Sequence, residues 1–401
     1  MRHVISAHHG RPSDDPIFAL NKEATARKAR GETIVNGTVG ALLHDDGRLA
    51  ILEAAARAVR EVAAEDWAPY APIVGSVDFL SAVIGDLFRN EPEMRDCAVA
   101  AATPGGSGAL HLAIGNYLEP GQSLLTTSYY WGPYQTLCDE ADRKISTFSM
   151  FAADGTIDVA ALDRALSTQI ADQKRVLLFI NDPCNNPTGY SMRPDEWRAV
   201  VERLVARSGE APITLLVDMA YFAYNAHEPR AFLKELRPLL GKVGLLFAWS
   251  ASKTYTHYGL RVGALVACVP DPAERAATDA ALCYSCRGTW SNCSRGGMRA
   301  ITRLLTEPAL AEACDREREE LKALLGARVA AFNELAPQRS LRYPRYEGGF
   351  FVTVFADDAH ERALRMKDKG VFVVPQKGAL RVALCSVAAK DVERLVAALA
   401  S

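Results

Sequence analysis

Between residues 97 and 269 the chain alternates apolar runs with amphipathic stretches, and this alternation restricts its fold more than any other feature. The runs are CAVAAAT (97–103), SLLTT (123–127), KISTF (144–148), KRVLLFI (174–180), ITLLVD (213–218), VGLLFAW (243–249) and VGALVACV (262–269). Helical patterns lie between several of them: GALHLAIGNYL (108–118), DVAALDRALSTQ (158–169) and RPDEWRAVVERLVARS (193–208). Most runs are solidly Val, Ile, Leu or Ala and do not switch between polar and apolar. That pattern predicts strands buried on both faces. Helices between such strands cover the faces, so the expected fold is α/β with a mostly parallel sheet.

The C-terminal third reads differently. A long charged helix pattern, EPALAEACDREREELKALLGARVAAFNEL (307–335), leads into short strand-like pieces, GGFFVTVF (348–355) and ALRVALC (379–385), and a closing helix, AKDVERLVAAL (389–399). This predicts a second, smaller α+β domain with its boundary near residue 310. With 401 residues, 49% of them hydrophobic and 23% charged, the chain has room for two domains and a large core. The formal charge of −2 gives no electrostatic pull toward nucleic acid or a membrane surface. No apolar run approaches the ~18 residues that span a bilayer, and the start, MRHVISAHHGRPSDDP, lacks the apolar core of a secretory signal. Nine cysteines, an odd number scattered mostly singly, suggest reduced thiols in a cytoplasmic protein. The C-x-x-C spacing of Cys283 and Cys286 has no second pair and no nearby histidine, so no metal site is expected.

In a doubly wound sheet, ligands bind at the carboxyl ends of the strands. After the first run comes PGGSGALHLA (104–113), where Gly105, Gly106 and Ser107 open a helix. Such a turn suits a phosphate on a helix N-terminus, and by itself it is equally a plain turn. After the second comes SYYWGPY (128–134), an aromatic cluster suited to stacking on a flat ring or to packing. NDPCNNPTGY (181–190) is a turn by composition that can also present an Asn side chain. Asp218, in DMAY, ends an apolar strand; it is either a helix cap or a buried anion facing a protonated heterocycle. Lys253 follows Ser250 and Ser252, and Arg261 lies eight residues on. Burial and cationic neighbours turn such a lysine into a nucleophile toward carbonyls, and such an arginine grips phosphate in a bidentate way. Each feature has an ordinary structural reading. Together, at successive strand ends, they describe one ligand: pyridoxal phosphate, with Lys253 forming the Schiff base.

On these motifs the chain resembles the class I aspartate/aromatic aminotransferases, enzymes of the pyridoxal-phosphate-dependent fold type I. The resemblance covers nearly the whole chain: DPIFAL (15–20) with VGALLHDDGRLAIL (39–52), YAPIVGSVDF (70–79), ATPGGSGAL, NNPTG, DMAY and SASK occur in the family's order. It implies a large domain with a mostly parallel seven-stranded sheet over 45–310. The segment 1–44 would join residues 311–401 in the small domain. Residue by residue, it implies Lys253 as the Schiff-base lysine and Asp218 as the partner of the pyridine nitrogen. Tyr221 and Asn186 would hydrogen-bond the ring's 3-oxygen, and Trp131 would stack on its face. Gly105, Gly106, Ser107, Ser250, Ser252 and Arg261 would hold the phosphate. Tyr70 would reach the phosphate of a neighbouring subunit, which implies a homodimer. Arg381 would grip the substrate α-carboxylate, and Arg287 would serve a distal carboxylate across the dimer. Gly40 and Tyr134 are expected on the substrate side.

The chain departs from the dicarboxylate enzymes at several places. Pro133-Tyr134 stands where they carry Asn-His, Asn181 and Asn185 replace histidines, Leu42 replaces an aromatic, and Tyr130 is bulkier than usual. Trp67, Trp290 and Phe350 add bulk. These changes bear on substrate choice and leave the expected activity: transfer of an amino group from aspartate or an aromatic amino acid to a 2-oxo acid, 2-oxoglutarate being expected, by ping-pong kinetics. The alternative on the same scaffold is a lyase or decarboxylase of amino acids. A nucleotide-binding oxidoreductase would need a GxGxxG turn, which GGSG is not.

Overall fold

The structure, a computed structural model, describes residues 3–12 and 15–401. Met1, Arg2, Ser13 and Asp14, part of the start read above for a signal and of the expected 1–44 segment, lie outside the described residues. The strands are β1 (Val35–Asn36), β2 (Ala98–Pro104), β3 (Ser123–Thr127), β4 (Lys144–Phe148), β5 (Val176–Asn181), β6 (Ile213–Asp218), β7 (Gly244–Ser250), β8 (Val262–Cys268), β9 (Phe351–Phe355), β10 (Val371–Phe372), β11 (Val374–Gln376) and β12 (Ala379–Ala383).

Seven of them form a mixed central sheet in the order β2-β8-β7-β6-β5-β3-β4. β8 alone runs opposite to the other six, antiparallel to its neighbours β2 and β7. All seven apolar runs became strands of this sheet, three with the same ends and the rest shifted by at most two residues. The shift at β5 has a local cause: Lys174 takes a left-handed conformation that ends the helix Val159–Gln173, so the strand starts only at Val176.

Every residue of β5, β6 and β8 is buried. The sheet separates two apolar clusters. Leu124, Phe179, Leu216 and Leu246 face the cluster that holds the helix Gly105–Tyr117. Leu125, Leu178, Val217 and Phe247 face the larger cluster, which the helix Pro194–Arg207 joins through Trp197 and Val200. Adjacent residues thus pack on opposite faces, as the pleat demands. Helices on both faces explain why the runs are continuously apolar.

The remaining strands assemble near the C-terminus. β11, β12 and β9 make an antiparallel sheet, and β1 pairs in parallel with β10. The N-terminal stretch is therefore built into structure formed by residues more than 300 positions later. The long helix Pro308–Gln338 packs against the closing helix Val392–Leu399 and the short turn Leu384–Ser386 that follows β12. Its Arg328 has no solvent exposure and donates from Nη1 to Cys385 O (2.6 Å) and from Nη2 to Leu43 O (2.7 Å) and Asp45 Oδ1 (2.8 Å). One guanidinium thus ties three distant segments. Replacing Arg328 by methionine strips buried carbonyls of their donor, and destabilisation by about 3 kcal/mol is expected. A denaturation midpoint equal to wild type would contradict this.

Candidate active site

One edge of the central sheet collects the carboxyl ends of β2, β3, β5, β6 and β7. Because β8 runs the other way, its amino end, preceded by Arg261, reaches the same edge. The side chains at these ends line a recess of about 450 Å³, partly open to solvent. Its walls include Gly106, Ser107, Trp131, Asn181, Asn186, Asp218, Ala220, Tyr221, Ser250, Ser252, Lys253 and Arg261. These are nearly all the residues expected to hold the cofactor.

The phosphate end is built by close backbone approach. Gly105 has φ +72°, and a Cβ there would lie 2.3 Å from Arg261 Nη2, so only glycine fits. The helix that starts at Gly105 has no side chain capping its first turn, which leaves its N–H groups free for an anion. Arg261 itself is left-handed (φ 57°). That strain aims its guanidinium at Ser252 Oγ (3.0 Å) and Pro104 O (3.3 Å). Ser250 Oγ accepts from Ser252 N (3.2 Å), and Gly106 sits beside Ser250.

The Lys253 amine makes no hydrogen bond or ion pair to any other described residue. Its Nζ lies 5.5 Å from the centre of the Tyr221 ring and 5.8 Å from that of Tyr258. Burial, and next the charge of Arg261, push its pKa below the usual lysine value; Asp218 opposes them. A larger fraction of free amine results, as a nucleophile requires.

Asp218 is 4% exposed. Its Oδ2 accepts from the Tyr134 hydroxyl at 2.6 Å and its Oδ1 from Ala220 N at 3.2 Å. Burial pushes its carboxyl up, while the bond from Tyr134, the bond from Ala220 and the charge of Lys253 pull it down. Beside it, Asn186 Nδ2 donates to the Tyr221 hydroxyl (3.3 Å). Asn181 bridges the two strand ends: its Nδ2 donates to Asp218 O (2.8 Å) and its Oδ1 accepts from Asn186 N (2.6 Å). Sequence reading noticed Asn181 only as a departure from the family. Its place on the last residue of β5, in register with Asp218, was the available signal.

Arg381 on β12 is 5% exposed. Its Nη2 donates to Thr38 O (2.5 Å), its guanidinium covers the Phe351 ring (4.8 Å), and its buried Nε has no partner. The Phe351 ring also meets Tyr221 edge-on (5.5 Å) and lies against Gly40, where a Cβ would come within 2.3 Å of it. Gly40 is therefore required by packing, and Phe351 is a neighbour of Arg381 that sequence reading missed; these three lie beyond Tyr221 and do not line the recess itself. Tyr258, also missed, accepts from Leu42 N (3.1 Å).

Three expected residues stand elsewhere. Tyr134 is fully buried on the helix Pro133–Glu140, behind Asp218, and not in a substrate side-chain pocket. Tyr70 is 88% exposed and Arg287 is exposed, donating to Ser291 Oγ (2.7 Å); neither lines this recess. Of the bulky residues, Phe350 packs on Tyr221 (5.3 Å), Trp290 lies by His111 (6.2 Å), and Trp67 is half exposed against Gly296.

The family profile described as "Aminotransferase class I and II" matches residues 32–399. The chain belongs to that family. The enzyme is 28% identical over 317 residues to an aromatic-amino-acid aminotransferase of Pseudomonas aeruginosa, which covers 76% of this chain and 75% of the relative. It is 28% identical over 364 residues to an aspartate aminotransferase of the same organism, with coverage of 87% and 88%. Among solved structures it resembles an aminotransferase from Anaerococcus prevotii, with a TM-score of 0.94, 31% identity and coverage of 100% and 99%. An aromatic-amino-acid aminotransferase from Burkholderia pseudomallei, covalently bound to pyridoxal phosphate, shares the fold at a TM-score of 0.81 and 21% identity, with coverage of 100% and 99%. The aminotransferase is thus a pyridoxal-phosphate-dependent transferase. The recess fits that cofactor chemically: an amine for its aldehyde, a carboxylate for its ring nitrogen, and a glycine cradle with hydroxyls and a guanidinium for its phosphate. No cluster of described residues could hold a metal ion, and no described helix is long and apolar enough to cross a membrane.

Proposed function

We propose that this aminotransferase moves the amino group of aspartate or an aromatic amino acid to a 2-oxo acid, 2-oxoglutarate being the expected acceptor, by ping-pong kinetics. The observation that carries the reading is the convergence of Lys253, Asp218 and Arg261 on one recess, with the buried, part-unpaired guanidinium of Arg381 beyond Tyr221. Bound pyridoxal phosphate supplies an electron sink for the bonds at the substrate Cα.

The protein does the rest. Lys253 would attach the cofactor, and its free amine would take the Cα proton as general base. Asp218 keeps a proton on the ring nitrogen. Asn186 and Tyr221 would hold the 3-oxygen, and Trp131 would cover a ring face. Gly105, Gly106, Ser107, Ser250, Ser252 and Arg261 retain the phosphate. Arg381 takes the α-carboxylate through its free fork, with Gly40 and Phe351 beside it.

A homodimer belongs to the same reading. Tyr70 and Arg287 are solvent-facing in the single chain and would act across the dimer. The exposed Trp67, Tyr70, Val77 and Tyr284 support an interface. The division into 1–44 with 311–401 and 45–310 is supported by the pairing of β1 with β10, and the nine free thiols support a cytoplasmic setting.

The test is a half-reaction: holoenzyme mixed with one amino acid and no 2-oxo acid. Loss of the yellow cofactor band with equimolar 2-oxo acid is expected for aspartate, phenylalanine or both; ammonia or carbon dioxide as product would make the enzyme a lyase or decarboxylase. Arg287→Ala is expected to lower kcat/KM for aspartate about 10²-fold, a charge-assisted bidentate contact, with far less effect on phenylalanine. Equal losses would remove Arg287 from the substrate.

A further inference from the structure

Tyr134 is a buried titratable group that the mechanism above does not use. Its ring is wedged between the edge of Trp131 (5.8 Å, 89°), Phe179 (5.4 Å, 82°) and the stacked ring of Tyr130 (6.2 Å, 11°). Held this way it cannot swing, and its hydroxyl is delivered to Asp218 Oδ2 at 2.6 Å. Ala220 N serves the other oxygen, and Asn181 fixes the Asp218 main chain. Two donors, one per oxygen, favour the anion and leave a lone pair facing the recess.

We propose that Tyr134 is a positioning residue: its hydroxyl keeps Asp218 ionised and aimed at the cofactor ring, and so governs how firmly the ring nitrogen holds its proton. The proposal rests on the functional reading above. The groups that face Asp218 are Tyr134 from the helix Pro133–Glu140, Tyr221 from the turn after β6, and Lys253 from the helix Ala251–Thr254. Burial pushes the phenols of Tyr134 and Tyr221 far above neutrality. The donor to Asp218 therefore does not titrate in the working range. The same residue also buttresses Trp131, so one side chain supports both the ring's face and its nitrogen.

Tyr134→Phe keeps the wedge and removes the donor. Asp218, left with one side-chain donor fewer in a dry site, reverts toward its neutral acid. Three readouts follow, on holoenzyme and on apoenzyme titrated with pyridoxal phosphate. Cofactor affinity is expected to weaken roughly ten-fold, the worth of one hydrogen bond to a charged group. The pH midpoint of the yellow band is expected to move up, because a less positive ring raises the proton affinity of the nitrogen attached to Lys253. Both effects are expected to vanish when Tyr134→Phe is made in an Asp218→Asn background, since the residue acts through Asp218. An unchanged midpoint with wild-type affinity overturns the proposal. So does an equal loss of affinity in the Asp218→Asn background, which would make Tyr134 packing alone. A wild-type protein with no yellow band would instead overturn the functional reading itself.

Discussion

Replacing Lys253 by alanine is expected to leave a folded protein that still binds pyridoxal phosphate but turns over slower by the full ~10²–10⁴-fold of a lost general base, with the loss of covalent attachment added. Lys253 is the one amine in the recess, and no described side chain competes for it. Burial and Arg261 disfavour its charged form, so more of the amine is free than in an ordinary lysine. Its neighbours, the rings of Tyr221 and Tyr258, offer no proton acceptor of the right basicity, because burial holds both phenols above their ordinary range. Nothing at hand can substitute. The phosphate cradle of Gly105 and Arg261 remains intact in the variant, which is why binding persists. Absorbance of the isolated variant and single-turnover rates with amino acid check this. Wild-type turnover would remove Lys253 from its role.

Asp218→Ala is expected to cost about 10²–10³-fold in the half-reaction, the scale of losing one preorganised electrostatic group in a dry site. The carboxylate is 4% exposed and carries two hydrogen-bond donors, so it is held and not merely near. Burying an anion without a cation to meet is unfavourable, and Lys253 compensates only in part. A protonated ring nitrogen completes the balance. Removing Asp218 therefore weakens cofactor binding and proton abstraction at Cα together, while Asn186 and Tyr221 stay bonded to each other. Rapid mixing with amino acid measures the step. A rate within two-fold of wild type would mean that another group protonates the ring.

The candidate site was largely legible because its parts lie at strand ends, and strands were legible as solid apolar runs. Asp218, Lys253 and Arg261 could each be placed from short local strings. Tyr134 could not. The resemblance put it on the substrate side, but Pro133 opens a helix whose first turn carries the Tyr134 hydroxyl to Asp218. Phe351 was hidden for a related reason. It lies in a run of apolar residues that reads as an ordinary strand, and only Gly40, some 310 positions away, gives its ring a place beside Arg381.

The sequence by itself determined which chemical groups stand at each strand end, because burying Val, Ile and Leu on two faces leaves little choice about where strands begin and stop. Tertiary structure alone decided which ends meet. The reversed direction of β8 brings Arg261 to the edge that holds Asp218. Strand order and packing join Tyr134 to Asp218 across 84 residues and Arg381 to Thr38 across 343. Such contacts arise from how elements stack, and no local period in the chain encodes them.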